Sequence, residues 1–249
     1  MKTLAGGCRV YSPEDGKITE REGWRERIVV SHETGADRVT QTVSEYAAGV
    51  SPAIVNPNAE EVLYVAAGQG VAHLNGFAYA LRPGCAIFVP PGAVYSIENR
   101  EPAKLRLVGS CCPEDSARGI TEPAATRSGV APRLTIHEDE RDPIRAGKDR
   151  VFRYLVHTDL GCRQITQFAG WIPPGKAPFH FHAYEEAIFI LQGRGIVHTD
   201  HGQGEFAAGS SVYFPAGARH CVENSGDAMV KLLGAFYPSG SPGAAYEND

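Results

Sequence analysis

From Arg27 to Cys112 the chain reads as short runs in which apolar and polar positions alternate: RIVVSH, RVTQTVSEYA, EEVLYVAAG, GVAHL, FAYAL, CAIFVP, VYSIEN and LRLVGS. A period of two places one face of each run against a core and the other against solvent, so each run predicts a β-strand. Glycine and proline clusters separate the runs, and Asn75-Gly76 carries the signature of a two-residue hairpin. Helical periodicity is missing throughout. The pattern predicts an all-β chain of barrel or sandwich type.

The pattern then repeats. A shift of 125 residues aligns Glu61 with Glu186, Gly68 with Gly193, Gly84 with Gly209, Pro90 with Pro215, Gly92 with Gly217 and Asn99 with Asn224. At the same shift His32 meets His157, Arg38 meets Arg163 and His73 meets His198, with no insertion required. Self-similarity at fixed spacing is the mark of duplicated units. Two tandem domains follow: residues 1–112, opening on an arm or first strands with SPEDGK as a turn, and residues 131–249. The polar, aperiodic residues 113–130 read as the linker, DERDPIRAG as an exposed loop, and the tail from residue 238 as poorly ordered unless docked.

Chemistry concentrates in residues 174–224. His180 and His182 stand two apart and Glu186 follows at four, all of one strand parity, so they can converge; Glu185 has the opposite parity and should face away. A second block, Gly209, Pro215, Gly217, His220 and Asn224, turns another strand back across the same space with His220. Three imidazoles and a carboxylate suit one divalent transition ion (Mn, Fe, Co, Ni, Cu or Zn). In the first copy Val55, Pro57 and Tyr95 stand at the 125-residue positions of His180, His182 and His220, and only Glu61 is retained, so that copy should hold no metal. Residues sharing the ligand parity, Ile188, Ile190, Val212, Phe214 and Val222, suggest an apolar wall, with Phe168 and Trp171 at its mouth. Without a visible Arg or Lys, that wall favours an enol, aromatic or otherwise apolar organic molecule over a small dianion. Arg163 and Gln167 are candidate polar orienters, Tyr184 and Glu185 flank the ligands, and His157, His198 and His201 read as structural or solvated.

The two blocks resemble the paired motifs of the cupin superfamily, with Pro174 where that family has its opening glycine. The resemblance implies two tandem cupin barrels (a bicupin) with metal ligands His180, His182, Glu186 and His220 in the second. It covers every ligand of the three-histidine, one-glutamate dioxygenases of quercetinase type, which implies an oxygen-dependent oxidoreductase acting on a small organic substrate, with Glu186 detaching from the metal to act as the catalytic base. Ureidoglycine aminohydrolases are also bicupins, but their ligand set differs at the positions of His180, Glu186 and His220. Sugar isomerases, decarboxylases and a non-catalytic binding bicupin remain alternatives. The family also implies a homodimer.

Composition narrows the partners. A net charge of −5 offers no general attraction to nucleic acid or anionic membrane, and no run approaches the length of a membrane span, so a cytoplasmic location is expected. The six cysteines match no zinc-knuckle spacing and read as free structural thiols.

Overall fold

Twenty-five strands and four single-turn 3₁₀ helices make up the computed structural model, which describes residues 1–249 except 115, 116, 148 and 244–249. The strands form two barrels, each a large sheet faced by a smaller one. In the first barrel the large sheet runs Thr135–His137, Cys85–Val89, Glu60–Ala67, Leu105–Cys112, Thr40–Tyr46, Trp24–Val30 and Lys17–Arg21. In the second it runs Lys2–Thr3, Arg9–Tyr11, Ser211–Phe214, Glu185–Gln192, Val230–Tyr237, Thr166–Ile172, Arg150–Val156 and Ile144–Ala146. Each half therefore lends strands to the other: Arg9–Tyr11 pairs with Ser211–Phe214, and Thr135–His137 pairs with Cys85–Val89. Ile144–Ala146, expected within an exposed loop, is an edge strand because it finds a partner in Arg150–Val156.

The alternating runs bury one face inside each barrel, around Tyr46, Leu63, Leu74 and Ile97 in the first and Phe168, Ile188, Phe214 and Phe236 in the second. The other face of each large sheet is apolar too. Val62, Tyr64 and Phe88 meet Leu155, Phe189 and Leu233 there, so the barrels share a third core. The face expected to meet solvent is therefore buried as well in strands such as Glu60–Ala67 and Cys85–Val89. Two carboxylates clasp this interface with pseudo-twofold symmetry. Glu60 accepts from the backbone N–H of Arg163 and Gln164 and from the Cys162 thiol. Glu185 accepts from the backbone N–H of Asp37 and Arg38 and from the Tyr213 hydroxyl. Asn75 and Gly76, with φ of 49° and 83°, form the expected hairpin loop between Leu74 and Phe77. All six cysteines are buried, and none is paired in a disulfide.

The register of the repeat differs from a uniform shift. Glu60–Ala67 answers Glu185–Gln192 at 125 residues, but Trp24–Val30 answers Arg150–Val156, and Thr40–Tyr46 answers Thr166–Ile172, at 126. The first copy has one extra residue between Asn56 and Glu60. Tyr95 pairs with Ile54 as His220 pairs with His180, and Gly92 N–H donates to Asn56 O as Gly217 N–H donates to His182 O, both at 2.7 Å. The first-barrel counterparts of His180 and His182 are therefore Ile54 and Asn56, not Val55 and Pro57. His32 and Arg38 likewise lose their supposed partners His157 and Arg163.

Candidate metal centre

The histidine pair does not lie on a regular strand. Glu185–Gln192 begins only at Glu185, and His180 joins the sheet through an isolated bridge in which His180 and His220 exchange N–H···O bonds of 2.9 and 2.8 Å. The chain stays extended across Phe181, whose ring is exposed while His182 is buried, and the bond to Gly217 fixes the far end. Gly217, with φ of 77°, makes the turn that delivers His220. Gly175 rather than Pro174 takes the left-handed position at the motif's opening, with φ of 128°, matched by Gly49 at 122°. Convergence thus rests on pinned loop backbone as well as strand parity.

Ligand-capable atoms of His180, His182 and His220 lie within 4.8 Å of one another. Glu186 joins them, its Oε2 3.7 Å from His182 Nε2 and 3.9 Å from His220 Nε2. These separations are too long for hydrogen bonds and suit four groups arranged about a common ion. Nδ1 of His180 contacts Pro178 O at 3.1 Å, and Nδ1 of His220 contacts Ala218 O at 2.9 Å. With Nδ1 protonated toward a carbonyl, Nε2 is the nitrogen left to coordinate, the usual way a protein orients a metal-binding imidazole. Phe214 stacks on His220 at 3.7 Å and Tyr184 on His182 at 5.3 Å, fixing both ring planes.

Burial dominates the electrostatics. It depresses His180, lowers His182 to about 3 with help from neighbouring His180, and holds His220 well below the ordinary imidazole range. It also raises Glu186 to about 8. The imidazoles are neutral and carry lone pairs, while Glu186 keeps its proton at neutral pH until a cation offsets the cost of burying its charge. The donor set fits a divalent transition ion.

A cavity of about 70 Å³ opens onto these four side chains, walled by Phe152, Phe168, Ile188, Val222, Leu232 and Phe236 among others. Trp171 also lines it, as expected, whereas Ile190 and Val212 are packed in the barrel core. The wall has one cation that the sequence does not reveal. Arg150 lines the cavity with its Nη2 donating to Val222 O at 2.6 Å, and among the described residues no carboxylate pairs with it. The expectation of a wall without Arg or Lys is corrected accordingly. Arg150 escapes sequence reasoning because it opens a strand, next to a stretch that reads as loop, and belongs to neither motif.

The other candidates lie elsewhere. Arg163 is exposed, and Gln167 is buried on the strand face opposite the cavity-lining Phe168 and Gly170. Glu185 faces away into the barrel interface, as its parity predicts. His198 pairs with Glu223 at 2.6 Å just as His73 pairs with Glu98 at 2.9 Å, a duplicated structural contact. His157 lies against Tyr154 and Asp159, and His201 is exposed.

The equivalent place in the first barrel holds a different cation. Arg118 donates from Nη1 and Nη2 to Glu26 at 3.0 Å, and from Nη2 to Glu61 Oε1 and the Tyr95 hydroxyl at 3.2 Å; Tyr95 in turn donates to Glu61 at 3.0 Å. The guanidinium stands against the two residues that correspond to Glu186 and His220. It comes from the stretch that reads as linker, where nothing marks it.

A duplicated β-barrel with three histidines and a glutamate converging in one copy defines the class as bicupin. Comparison with known families agrees: the cupin domain matches residues 43–109 and 171–236, and the chain belongs to that family. An uncharacterised protein of Methanocaldococcus jannaschii is 32% identical over 104 residues, 40% of this chain and 82% of that one. Solved structures of Bacillus subtilis oxalate decarboxylase share the fold. One, determined at pH 4.6, has a TM-score of 0.77 and 15% identity over 93% of this chain and 77% of the other. A mutant of the same enzyme gives 0.76 and 16% over 93% and 78%. No helix among the described residues is long and apolar enough to cross a membrane.

Proposed function

We propose that the chain is a metal-dependent enzyme whose second barrel holds one divalent transition ion through His180, His182, Glu186 and His220 and transforms a small organic anion. The observation that carries this reading is the convergence of those four side chains on a cavity whose other charged group, among the described residues, is Arg150. Three neutral imidazoles and one carboxylate leave a divalent ion with a net charge of about +1, and Arg150 adds another positive charge. An apolar pocket with that charge favours a carboxylate or enolate. Its small volume, about 70 Å³, favours a small acid over a polycyclic aromatic.

The bound ion would supply Lewis acidity and, if redox-active, electron exchange with dioxygen. Arg150 orients the substrate anion through its guanidinium, already fixed by Val222 O. The apolar walls exclude bulk water. Glu186 is the only carboxyl that lines the cavity among the described residues, and on detaching from the ion it would be the base that takes a proton from the substrate. The ligand set matches that of the three-histidine, one-glutamate cupin dioxygenases, which favours oxygen-dependent oxidation over hydrolysis. Decarboxylation is the second reading, favoured by Arg150 and by the likeness in fold to oxalate decarboxylase.

Metal analysis of wild type beside His180→Ala and His220→Ala, then oxygen uptake and carbon dioxide release with two- to four-carbon oxo and hydroxy acids, tests the reading. About one transition ion per chain, lost in both variants, with oxygen consumption, is expected. Carbon dioxide release without oxygen consumption moves the assignment to a lyase. No metal after reconstitution overturns it.

A further inference from the structure

The last described residues do not trail away from the barrel. Pro242 lines the metal cavity beside Phe152 and Phe236. Ser241 is held on three atoms: the Tyr154 hydroxyl donates to its Oγ at 2.8 Å, the Tyr184 hydroxyl donates to its carbonyl at 2.6 Å, and its own N–H donates back to Tyr184 Oη at 2.9 Å. Behind it, Ser239 and Thr166 share a hydrogen bond of 2.6 Å, and Gly240 N–H donates to Thr166 Oγ1 at 3.2 Å. Gly240 lies so close to the Tyr184 ring that an added Cβ would come within 2.3 Å of it. These contacts pin the segment against the second barrel, with Pro242 buried.

The duplication says what the segment is. It follows the strand Val230–Tyr237 as residues 113, 114, 117 and 118 follow Leu105–Cys112, at the 125-residue shift. In the first copy that path ends with Arg118 on Glu26, Glu61 and Tyr95, filling the centre. Its counterpart in the second copy is Gly243, and a Cβ there would approach Phe152, the counterpart of Glu26, at 3.9 Å. Position 118 thus carries a plugging side chain in the first barrel, and its counterpart Gly243 carries none in the second.

We propose that residues 238–243 are the cover that sets the size of what reaches the metal centre, latched through Ser241 by the hydroxyls of Tyr154 and Tyr184. This rests on the second barrel being the substrate site. Tyr184 also stacks on His182, so the latch and one ligand share a side chain. The cover limits the cavity to small acids and makes Pro242 a specificity-determining residue.

The test uses two variants acting in opposite directions. Tyr154→Phe with Tyr184→Phe keeps both rings and removes the latch; Gly243→Arg adds the plug of the first barrel. In metal-free protein, diethylpyrocarbonate modification of His182 and His220, mapped by mass spectrometry, should quicken about tenfold in the first variant, which loses three hydrogen bonds, and slow in the second. Exposed His201 should be unchanged in both. In cobalt-loaded protein, the double Phe variant should bind benzoate about tenfold more tightly than wild type and acetate equally. Unchanged His182 and His220 reactivity in both variants overturns the cover, as does an equal shift for benzoate and acetate. Failure to bind cobalt sinks the metal reading instead, and the metal-free measurement still decides the cover.

Discussion

Replacing Glu186 by Gln should strengthen the metal-free protein while weakening its hold on metal. Glu186 is 4% exposed, and burial raises its pKa from 4.5 to about 8. Between those values the folded state binds a proton that the unfolded state has released. Stability therefore falls as pH rises from 4.5 to about 8, by about 1.4 kcal/mol per unit, and is flat above. Integrated over that window the wild type loses about 5 kcal/mol, an upper bound because water entering the cavity shields the anion. An amide at this position cannot ionise, so the variant escapes the loss. Urea denaturation of chelator-treated wild type and Glu186→Gln from about pH 5 to about pH 9 measures it. The variant's advantage should be smallest at the acid end, grow through neutrality and level off above about pH 8. A difference independent of pH would refute the argument, since the carboxyl would then not be titrating in the folded protein. The same variant should bind metal at least tenfold more weakly.

Three further outcomes follow from charges placed by the fold. Arg118→Met leaves Glu26 and Glu61 buried without a cation and should cost about 3–5 kcal/mol by denaturation, most of it recovered when both glutamates are also changed to Gln. Glu185→Gln and Glu60→Gln each weaken an equivalent clasp between the barrels, so each should lower stability by about 1–3 kcal/mol and by similar amounts; unequal losses would contradict the pseudo-twofold reading. Arg150→Met should weaken acetate binding to the cobalt-loaded protein about tenfold without changing metal content, and unchanged acetate affinity would remove Arg150 from the substrate's path.

Turns and ligands are legible in the sequence because each is a local demand. A tight turn needs glycine, and a buried histidine in a register shared with a carboxylate announces a shared partner. The repeat is legible wherever it is tied to turns. Its reading slips by one residue across Arg38, because chance matches at His32 and His157 hide the extra residue between Asn56 and Glu60. Arg150 and Arg118 are not legible as site residues. Each reaches its site through tertiary packing, one from the start of a strand and the other from a segment that reads as linker, and no spacing rule connects them to the groups they face.

The two barrels answer one electrostatic problem in two ways. Both retain the carboxylate, Glu61 in one and Glu186 in the other, and both bury it: Glu61 is 1% exposed. A buried carboxylate requires either a proton or a cation. The first barrel brings its own cation on Arg118, adds Glu26 to hold it, and exchanges His220 for Tyr95, whose hydroxyl donates to Glu61. The second places Phe152 and Gly243 at the positions of Glu26 and Arg118, so the cation that neutralises the carboxylate in the first barrel has no counterpart there. With three imidazoles already neutral around Glu186, its charge is left for an ion from outside. The first barrel thus shows, with a guanidinium, where positive charge belongs in this fold, and the metal proposed for the second would take that place.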